Sequence, residues 1–383
     1  MREKIDALWC AYPWDLLGDP SVVERVTDSG ASGVAIAAAY HSVRAATPLH
    51  PTHRIVDAAH AALYAPVREL AWAGMRLRPV SGAAWAGDDA FARAASIARE
   101  GGLSVEAWIV LTHSSIVGSG APDLCVTSAY DETYPYALCP SSPEVRAYAT
   151  RLVEEVIAAA PLDGVMLEAC GSLGVDHLGH HEKTQGADWS ALDSALLSVC
   201  FCLACVDELG RIGADVDRLR AQIRAAIGVQ HASKTRVEDV LSDAAAVLAV
   251  RTSARHELLG ATVAAARRAG IRQITVHASP DPWATGPFSA LFDEAGSVDA
   301  LVLPGNELLG ASAERLAELR ALAGGTPLAG YFAALPPETP ATISERWPAA
   351  IASVDRAYLY HLGLLSAQRL SAVGSATRSA RVG

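Results

Sequence analysis

The stretch Gly164-Val165-Met166-Leu167-Glu168 is the part of the sequence that decides the fold. It is a continuous apolar run that ends on an acidic residue, and the short segment Pro161-Leu162-Asp163 precedes it. Apolar runs of four to eight residues are typical of strands that are buried on both faces in a parallel sheet. We therefore interpret this stretch as a central strand with a carboxyl group at its C-terminal end.

Seven other short β-type runs alternate with longer helical patterns from one end of the chain to the other. They are Ala7–Tyr12, Gly33–Ala39, Ser104–Leu111, Arg272–His277, Asp299–Leu303, Pro327–Phe332 and Ala357–His361. Eight strands, each followed by at least one helical segment, predict an α/β protein with a (β/α)8 TIM-barrel fold. A doubly wound open sheet is the alternative, but no Gly-x-Gly-x-x-Gly motif follows the first strand.

We expect residues 1–383 to form a single elaborated barrel domain, because the sequence contains no internal repeat and no low-complexity linker. Two long insertions are predicted, at 42–102 after strand two and at 172–260 after strand four. The loops that follow the strands build the active face of a barrel, so both insertions are expected to wall the site. Helices are predicted at Ser142–Ala160, Trp189–Leu209, Val237–Ala269 (as two helices) and Ala311–Ala323, and a short β excursion at Ile55–Tyr64.

Composition excludes several classes of partner. Of the 383 residues, 51% are hydrophobic and 19% are charged, and 42 acids against 31 bases leave a net charge of −11. An acidic chain argues against nucleic acid or an anionic membrane as partner. The sequence contains neither an apolar run long enough to span a membrane nor a signal-like N-terminus, so we expect a cytoplasmic protein. The sequence leaves open whether the chain forms a homo-oligomer.

The cysteine pattern is the strongest chemical signal. Cys200-Phe201-Cys202-Leu203-Ala204-Cys205 places three thiols within six residues, and such spacing allows them to converge on one tetrahedral metal ion. Cys139 and Cys170 are the candidates for a fourth ligand. Four thiolates leave no open coordination position, so the predicted zinc is structural. The alternative is a helix face of buried thiols, because cysteine packs as a small hydrophobic residue.

Glu168 is the leading catalytic candidate. A barrel enzyme places its catalytic groups at the C-terminal ends of the strands, which is where this acid falls. Burial beside apolar neighbours would raise the pKa of its carboxyl, as a general acid at neutral pH requires. The alternative is a carboxylate paired with an arginine at the rim.

Histidines and acids cluster in the loop that follows Glu168. Asp176, His177, His180, His181 and Glu182 could bind a divalent metal, orient a sugar or shuttle protons, or form an ordinary solvated loop. His41 and His113 follow predicted strands two and three, so a barrel would bring them to the same mouth. Aromatic faces stack on sugar rings, and the aromatic candidates for substrate binding are Tyr12, Tyr136 and Tyr360.

Glycoside hydrolysis needs a second carboxylate on the other side of the reacting bond. Three residues are candidates: Glu182, Glu307 after strand six, and Glu338 after strand seven. Glu338 precedes Thr339-Pro340 and fits equally well as an acid at the start of a helix.

Taken in order, three of these features resemble the family-42 β-galactosidases. Cys139-Pro140-Ser141-Ser142-Pro143 is similar to a family segment in which a cysteine precedes a helix start. Leu167-Glu168 falls where the family has its Asn-Glu acid/base. The three clustered cysteines match the family's zinc site. The resemblance implies Cys139 as the fourth zinc ligand and Glu168 as acid/base. The sequence departs from the family at Leu167, and at strand seven, where Gly330-Tyr331-Phe332 replaces the glutamate nucleophile.

Together these features predict a glycoside hydrolase-like enzyme that acts on a small-molecule glycoside and contains a structural zinc. A metal-dependent barrel lyase or isomerase that uses the His/Asp/Glu cluster is one alternative. A barrel that binds sugar without catalysis is another, favoured by the missing glutamate at strand seven.

Overall fold

A closed barrel of eight parallel strands forms the centre of the molecule. The computed structural model describes residues 5–82, 85–176 and 183–381. The strands are β1 (Asp6–Ala11), β2 (Gly33–Tyr40), β3 (Ser104–Val110), β4 (Gly164–Glu168), β5 (Gln273–Ser279), β6 (Ala300–Pro304), β7 (Leu328–Ala333) and β8 (Arg356–Tyr360). Each pairs in parallel with its neighbours along the chain, and β1 pairs with both β2 and β8, so the sheet closes. The predicted TIM-barrel fold is confirmed, with every predicted strand correct to within two residues at either end.

Thirteen α-helices lie among the described residues. They are α1 (Pro13–Leu16), α2 (Val22–Asp28), α3 (Ala90–Glu100), α4 (Ser115–Ser119), α5 (Pro143–Ala159), α6 (Ala191–Leu197), α7 (Leu203–Arg211), α8 (Val216–Ala226), α9 (Val237–Val240), α10 (Ala244–Arg268), α11 (Ala313–Leu322), α12 (Pro340–Ala352) and α13 (Ala367–Ala380). None of these described helices is long and apolar enough to cross a membrane.

The helix predicted over Trp189–Leu209 is wrong as one continuous element. The structure has two helices there, α6 and α7, separated by the segment that contains Cys200 and Cys202. The backbone of this segment bonds elsewhere: the Phe201 N–H donates to the Thr127 carbonyl at 2.7 Å, and the Cys202 N–H donates to Cys200 Sγ at 3.4 Å. These bonds replace the helical pattern, so most of the cysteine motif lies ahead of α7. The other predicted helices are confirmed, with Val237–Ala269 divided into α9 and α10 as expected.

The long connections after β2 and β3 contain short antiparallel strands. After β2, Val43–Ala46 pairs with Ile55–Ala58, and Ala62–Leu63 then pairs with the end of β2 itself, which confirms the β excursion in this region. After β3, Cys125–Thr127 pairs with Thr133–Leu138. The chain then reaches Cys139 and enters α5, where Ser142 is the N-cap and Pro143 suits the first turn.

A buried ion pair crosses the barrel interior near the N-terminal ends of the strands. Glu106 on β3 is 2% exposed and pairs with Arg356 on β8, and it accepts a hydrogen bond of 2.6 Å from the Tyr358 hydroxyl. Arg356 also bonds to Asp6 on β1 at 2.6 Å. The network thus joins β8 to β3 and to β1. Glu106 is buried and Arg356 is partly buried, so the Glu106 carboxylate depends on this cation.

Replacing Arg356 by Met should therefore destabilise the fold. The substitution leaves the Glu106 carboxylate buried without its cation, and we expect the free energy of unfolding to fall by about 3–5 kcal/mol. The measurement is urea unfolding followed by circular dichroism. A double variant, Glu106→Gln with Arg356→Met, removes both charges and should recover most of the loss. An equal loss in the double variant would show that packing matters here and that charge pairing does not.

Candidate active site and cysteine cluster

Glu168 lies at the C-terminal end of β4, inside the mouth of the barrel. Its side chain is buried, with the residue 5% exposed. Oε2 accepts a hydrogen bond of 2.6 Å from the indole N–H of Trp108, which lies on the neighbouring strand β3. Trp108 is fully buried and packs in the core. The structure adds a polar role, because this indole holds the candidate acid in place.

Burial governs the protonation of Glu168. Removal from water raises the pKa of its carboxyl to about 7, and the Trp108 hydrogen bond opposes this rise because it favours the charged form. Among the described residues, no arginine forms an ion pair with Glu168; the basic side chain recorded beside it is His277. A carboxyl of this kind is partly protonated near neutral pH and can donate a proton. The arrangement differs from the carboxylate–arginine pair that we considered as the alternative.

His277 on β5 is the second polar group beside Glu168. Its Nδ1 lies 3.8 Å from Glu168 Oε2, and the ring stacks on Phe288 with centroids 4.5 Å apart. The imidazole is buried, and loss of water lowers its pKa to about 3, so it is neutral at physiological pH. Sequence reasoning missed this residue as a functional group. The signal was available, since His277 is the last residue of the predicted fifth strand.

An acid–histidine pair lies near Trp108. His361 follows β8, with its ring centroid 6.5 Å from that of Trp108, and its Nδ1 lies 3.5 Å from Asp15 Oδ2. Both side chains are buried, and burial raises the pKa of Asp15 to about 7 and lowers that of His361 to about 3. A side chain at Gly363 would collide with Asp15 Oδ1, so glycine is needed beside this carboxyl.

At neutral pH the His361 imidazole is therefore neutral, and the Asp15 carboxyl is only partly ionised. Sequence reasoning missed both residues. Asp15 lies in α1, the short helix that follows β1, where no sequence motif marks it. His361 ended the predicted eighth strand and could have been selected on that ground.

Five of the predicted substrate-binding residues, all in the described part of the chain, are brought to the same mouth. Tyr12 packs on His361 with centroids 4.0 Å apart, and Tyr360 lies 6.1 Å from Trp108. His41 and His113 lie 4.8 Å apart, and Tyr136 lies 6.1 Å from His113. These two groups meet through Tyr40, whose ring contacts Tyr12, His41 and Trp108. A set of aromatic and imidazole rings thus surrounds the Trp108–Glu168 hydrogen bond.

The candidate second carboxylates have different surroundings. Glu307 forms an ion pair of 2.8 Å with Arg315. Glu338 accepts a hydrogen bond of 2.8 Å from the Thr342 hydroxyl and lies 3.5 Å from Arg346, just ahead of α12. Glu182, with His180 and His181, lies outside the described residues.

Strand β7 contributes a phenol to the mouth. The Tyr331 ring lies 5.2 Å from both His277 and Tyr360. Burial, with Tyr360, Cys10 and Glu168 nearby, raises the pKa of Tyr331 well above its usual value. The hydroxyl is therefore neutral. It can donate a hydrogen bond but is a poor nucleophile.

Four cysteines form a separate cluster. Ligand atoms of Cys139, Cys200, Cys202 and Cys205 all lie within 4.8 Å of one another, and all four residues are buried. Among the described residues this is the only such group of three or more histidine, cysteine or acidic side chains; Cys170 does not belong to it. The structure thus groups Cys139 with the three clustered cysteines, as the family resemblance implied.

The spacing of the sulfur atoms fits a tetrahedral metal site. Cys139 Sγ lies 3.6 Å from Cys205 Sγ and 3.8 Å from Cys200 Sγ. A tetrahedron with metal–sulfur bonds of about 2.3 Å has sulfur–sulfur edges of about 3.8 Å. The Thr127 and Cys202 N–H groups both donate to Cys200 Sγ, at 3.5 and 3.4 Å. These four thiols could bind a metal ion.

The fold is shared with solved glycoside hydrolases at low sequence identity. No protein-family model matches the sequence, and no curated protein matches it. An α-L-fucosidase isoenzyme 2 from Paenibacillus thiaminolyticus superposes with a TM-score of 0.56 and 12% identity, over 98% of this chain and 49% of that one. The PgaB (BpsB) glycoside hydrolase domain from Bordetella bronchiseptica gives a TM-score of 0.53 and 15% identity, over 94% of each chain.

A β-galactosidase from Marinomonas ef1 is also similar, with a TM-score of 0.53 and 10% identity. The alignment covers 98% of this chain and 59% of that enzyme, so the chain spans about half of the fucosidase and under two thirds of the β-galactosidase. Identities this low show the fold alone. The chain is a (β/α)8 barrel of the kind found in these glycoside hydrolases, and its similarity to them is distant.

Proposed function

We propose that this protein is a carbohydrate-active enzyme of the glycoside hydrolase type, with Glu168 as the proton donor. The observation that supports this most directly is the state of Glu168: a buried carboxyl at a barrel strand end, with a pKa raised to about 7 and a single hydrogen-bond donor to orient it. Tyr331 and Tyr360 are only partly buried at the mouth, and rings of this kind suit the apolar faces of sugars. The substrate class is a glycoside, in line with the enzymes that share the fold.

In the proposed mechanism, protonated Glu168 transfers its proton to the oxygen of the leaving group. The resulting carboxylate is stabilised by the Trp108 N–H, which already contacts Oε2. Neutral His277, 3.8 Å away, adds no positive charge that would keep the carboxyl ionised before the transfer. Burial of the carboxyl thus supplies the acid, and the indole stabilises its conjugate base.

For the second carboxyl we propose Glu182 or Asp15. Glu307 and Glu338 each lie beside an arginine, which would have to move away for the carboxylate to act on a substrate. Asp15 is 3% exposed at the same mouth, and its Oδ1 has no hydrogen-bond partner. Glu182 follows Glu168 along the chain and remains the candidate from the sequence.

We further propose that the four cysteines hold a structural zinc. Sulfur spacings of 3.6 and 3.8 Å match the edges of a zinc–tetrathiolate tetrahedron. Cys139 follows the hairpin that comes after β3 (Cys125–Thr127 with Thr133–Leu138). Cys200, Cys202 and Cys205 belong to the insertion after β4. A zinc ion here would cross-link these two loops and supply no catalytic chemistry, since four thiolates fill its coordination sphere.

Replacing Glu168 by Gln should abolish turnover, with activity reduced at least about 1,000-fold. The melting temperature should stay level or rise slightly at pH 8, because a carboxyl whose pKa is raised on folding destabilises the protein once it ionises. Activity is measured on a panel of aryl glycosides, and stability by scanning calorimetry. Glu307→Gln is the matched control and should remain active. Full activity in Glu168→Gln would remove this residue from the mechanism.

The pH dependence should follow the protonation of Glu168. Because the acid form donates the proton, the rate should fall as the pH rises through about 7. Trp108→Phe removes the hydrogen bond that favours the carboxylate, so the pKa of Glu168 should rise and the alkaline limb should move up by about one to two pH units. The rate profile is measured from pH 5 to 10. A limb that stays in place, or moves down, would contradict the assigned role of the indole.

Replacing Cys202 by Ser should remove the metal. We expect about one zinc per chain in the native protein and close to none in the variant, with a melting temperature lower by several degrees. Metal content is measured by inductively coupled plasma mass spectrometry on protein purified without added zinc. Cys125→Ser is the control, since Cys125 is buried but lies outside the cluster. A native protein without bound zinc would contradict this assignment and leave the proposal for Glu168 untouched.

The phenol at β7 favours one second candidate function, a barrel that binds sugar without cleaving it. Tyr331 occupies the strand where family-42 enzymes have their nucleophile. Carbohydrate binding by the native protein, without turnover of any aryl glycoside in the panel, would support this candidate over the hydrolase.

A further inference from the structure

A half-exposed tryptophan lies at the outer end of the aromatic lining. Trp85 belongs to the insertion after β2 and is 53% exposed. Its ring packs edge-on against Trp14, with centroids 5.6 Å apart and an angle of 61° between the planes. Trp14 itself is 1% exposed. One side of the Trp85 indole is therefore held by the protein, and much of the remainder faces solvent.

Trp85 is connected to Glu168 by a continuous series of ring contacts. Trp14 stacks on Tyr12 at 4.6 Å, and Tyr12 contacts Tyr40 at 5.3 Å. Tyr40 contacts Trp108 at 4.7 Å, and Trp108 donates the hydrogen bond to Glu168. The series thus runs from solvent to the candidate acid. It places Trp85 on the same side of the barrel as the mouth, at the C-terminal ends of the strands.

Exposure distinguishes Trp85 from the other rings of the series. Tyr12 and Trp108 are fully buried, and Tyr40 is 5% exposed. Their faces are covered by neighbouring side chains, so they shape the protein around the site. Trp85 still has ring surface to offer a ligand. Because Trp14 holds the indole in place, a ligand that stacks on it loses little of the conformational freedom that a mobile surface side chain would lose.

We propose that Trp85 is an outer stacking site for one sugar ring of an extended carbohydrate whose reacting bond lies at Glu168. A sugar ring presents an apolar C–H face to an indole while its hydroxyls remain in water, which suits a half-exposed tryptophan. The inference depends on the proposed function for the position of the reacting bond. It narrows the substrate class to an oligosaccharide, in preference to a single sugar with a small leaving group.

The test compares binding of short and long oligosaccharides. Isothermal titration uses β-1,4-linked gluco-, galacto- and chito-oligosaccharides of two to six units, with Glu168→Gln protein so that no ligand is consumed. Affinity should increase with chain length, and adding Trp85→Ala should weaken the longest ligand by about 3- to 10-fold while leaving the shortest nearly unchanged. Trp85→Phe should retain most of the gain. Leu70→Ala is the matched control, because Leu70 is a 92% exposed apolar residue of the same insertion.

Three outcomes would overturn the stacking site: a length dependence that Trp85→Ala leaves intact, an equal loss for every ligand length, or no binding anywhere in the panel. Failure of the proposed function is recognised separately. If Glu168→Gln remains active, or the native protein cleaves nothing, the acid role fails, but a length-dependent loss in Trp85→Ala still supports the stacking site. If Glu168→Gln is inactive and Trp85→Ala binds like its parent, the hydrolase proposal stands and the stacking site does not.

Discussion

The hydrogen bond from Trp108 to Glu168 is the interaction on which the rest of the site depends. It joins two neighbouring barrel strands, it orients a carboxyl that burial makes a weak acid, and its donor is surrounded by the rings of the mouth. A carboxyl in this position is unfavourable for folding once it ionises. Its presence at a strand end, without an arginine partner among the described residues, is therefore the feature that most needs a functional explanation.

A second buried glutamate in the same barrel shows what a structural role looks like. Glu106 lies nearer the other end of the strands, where it pairs with Arg356 and accepts a hydrogen bond from Tyr358. Both glutamates are raised in pKa by burial. The difference is in their partners: the first pairs with a cation and accepts a hydrogen bond from a phenol, whereas an indole and a neutral imidazole accompany the second. The first lies in an ion pair that connects strands of the closed sheet, whereas no arginine or lysine pairs with the second among the described residues.

The cysteine cluster connects two loops beside the candidate site. It places Cys139, at the end of the hairpin after β3, next to the cysteine motif in the insertion after β4. These two connections follow the strands that carry Trp108 and Glu168. The backbone bond from Phe201 to Thr127 joins the same two loops. The cluster and this backbone bond thus connect the two loops next to the strands that carry Trp108 and Glu168.

The amino-acid sequence by itself determined the barrel, because eight short β-type runs, several of them continuously apolar like 164–168, alternate with helical patterns. It also determined Glu168 as the acid at a strand end. It left the fourth cysteine open on spacing alone, and a resemblance pointed to Cys139. Only the tertiary structure decided which groups meet: the indole of Trp108 on the carboxyl, the Asp15–His361 pair, and the line of rings that ends at Trp85. Contacts between residues far apart in the chain depend on barrel closure and loop packing, which periodicity and spacing do not encode.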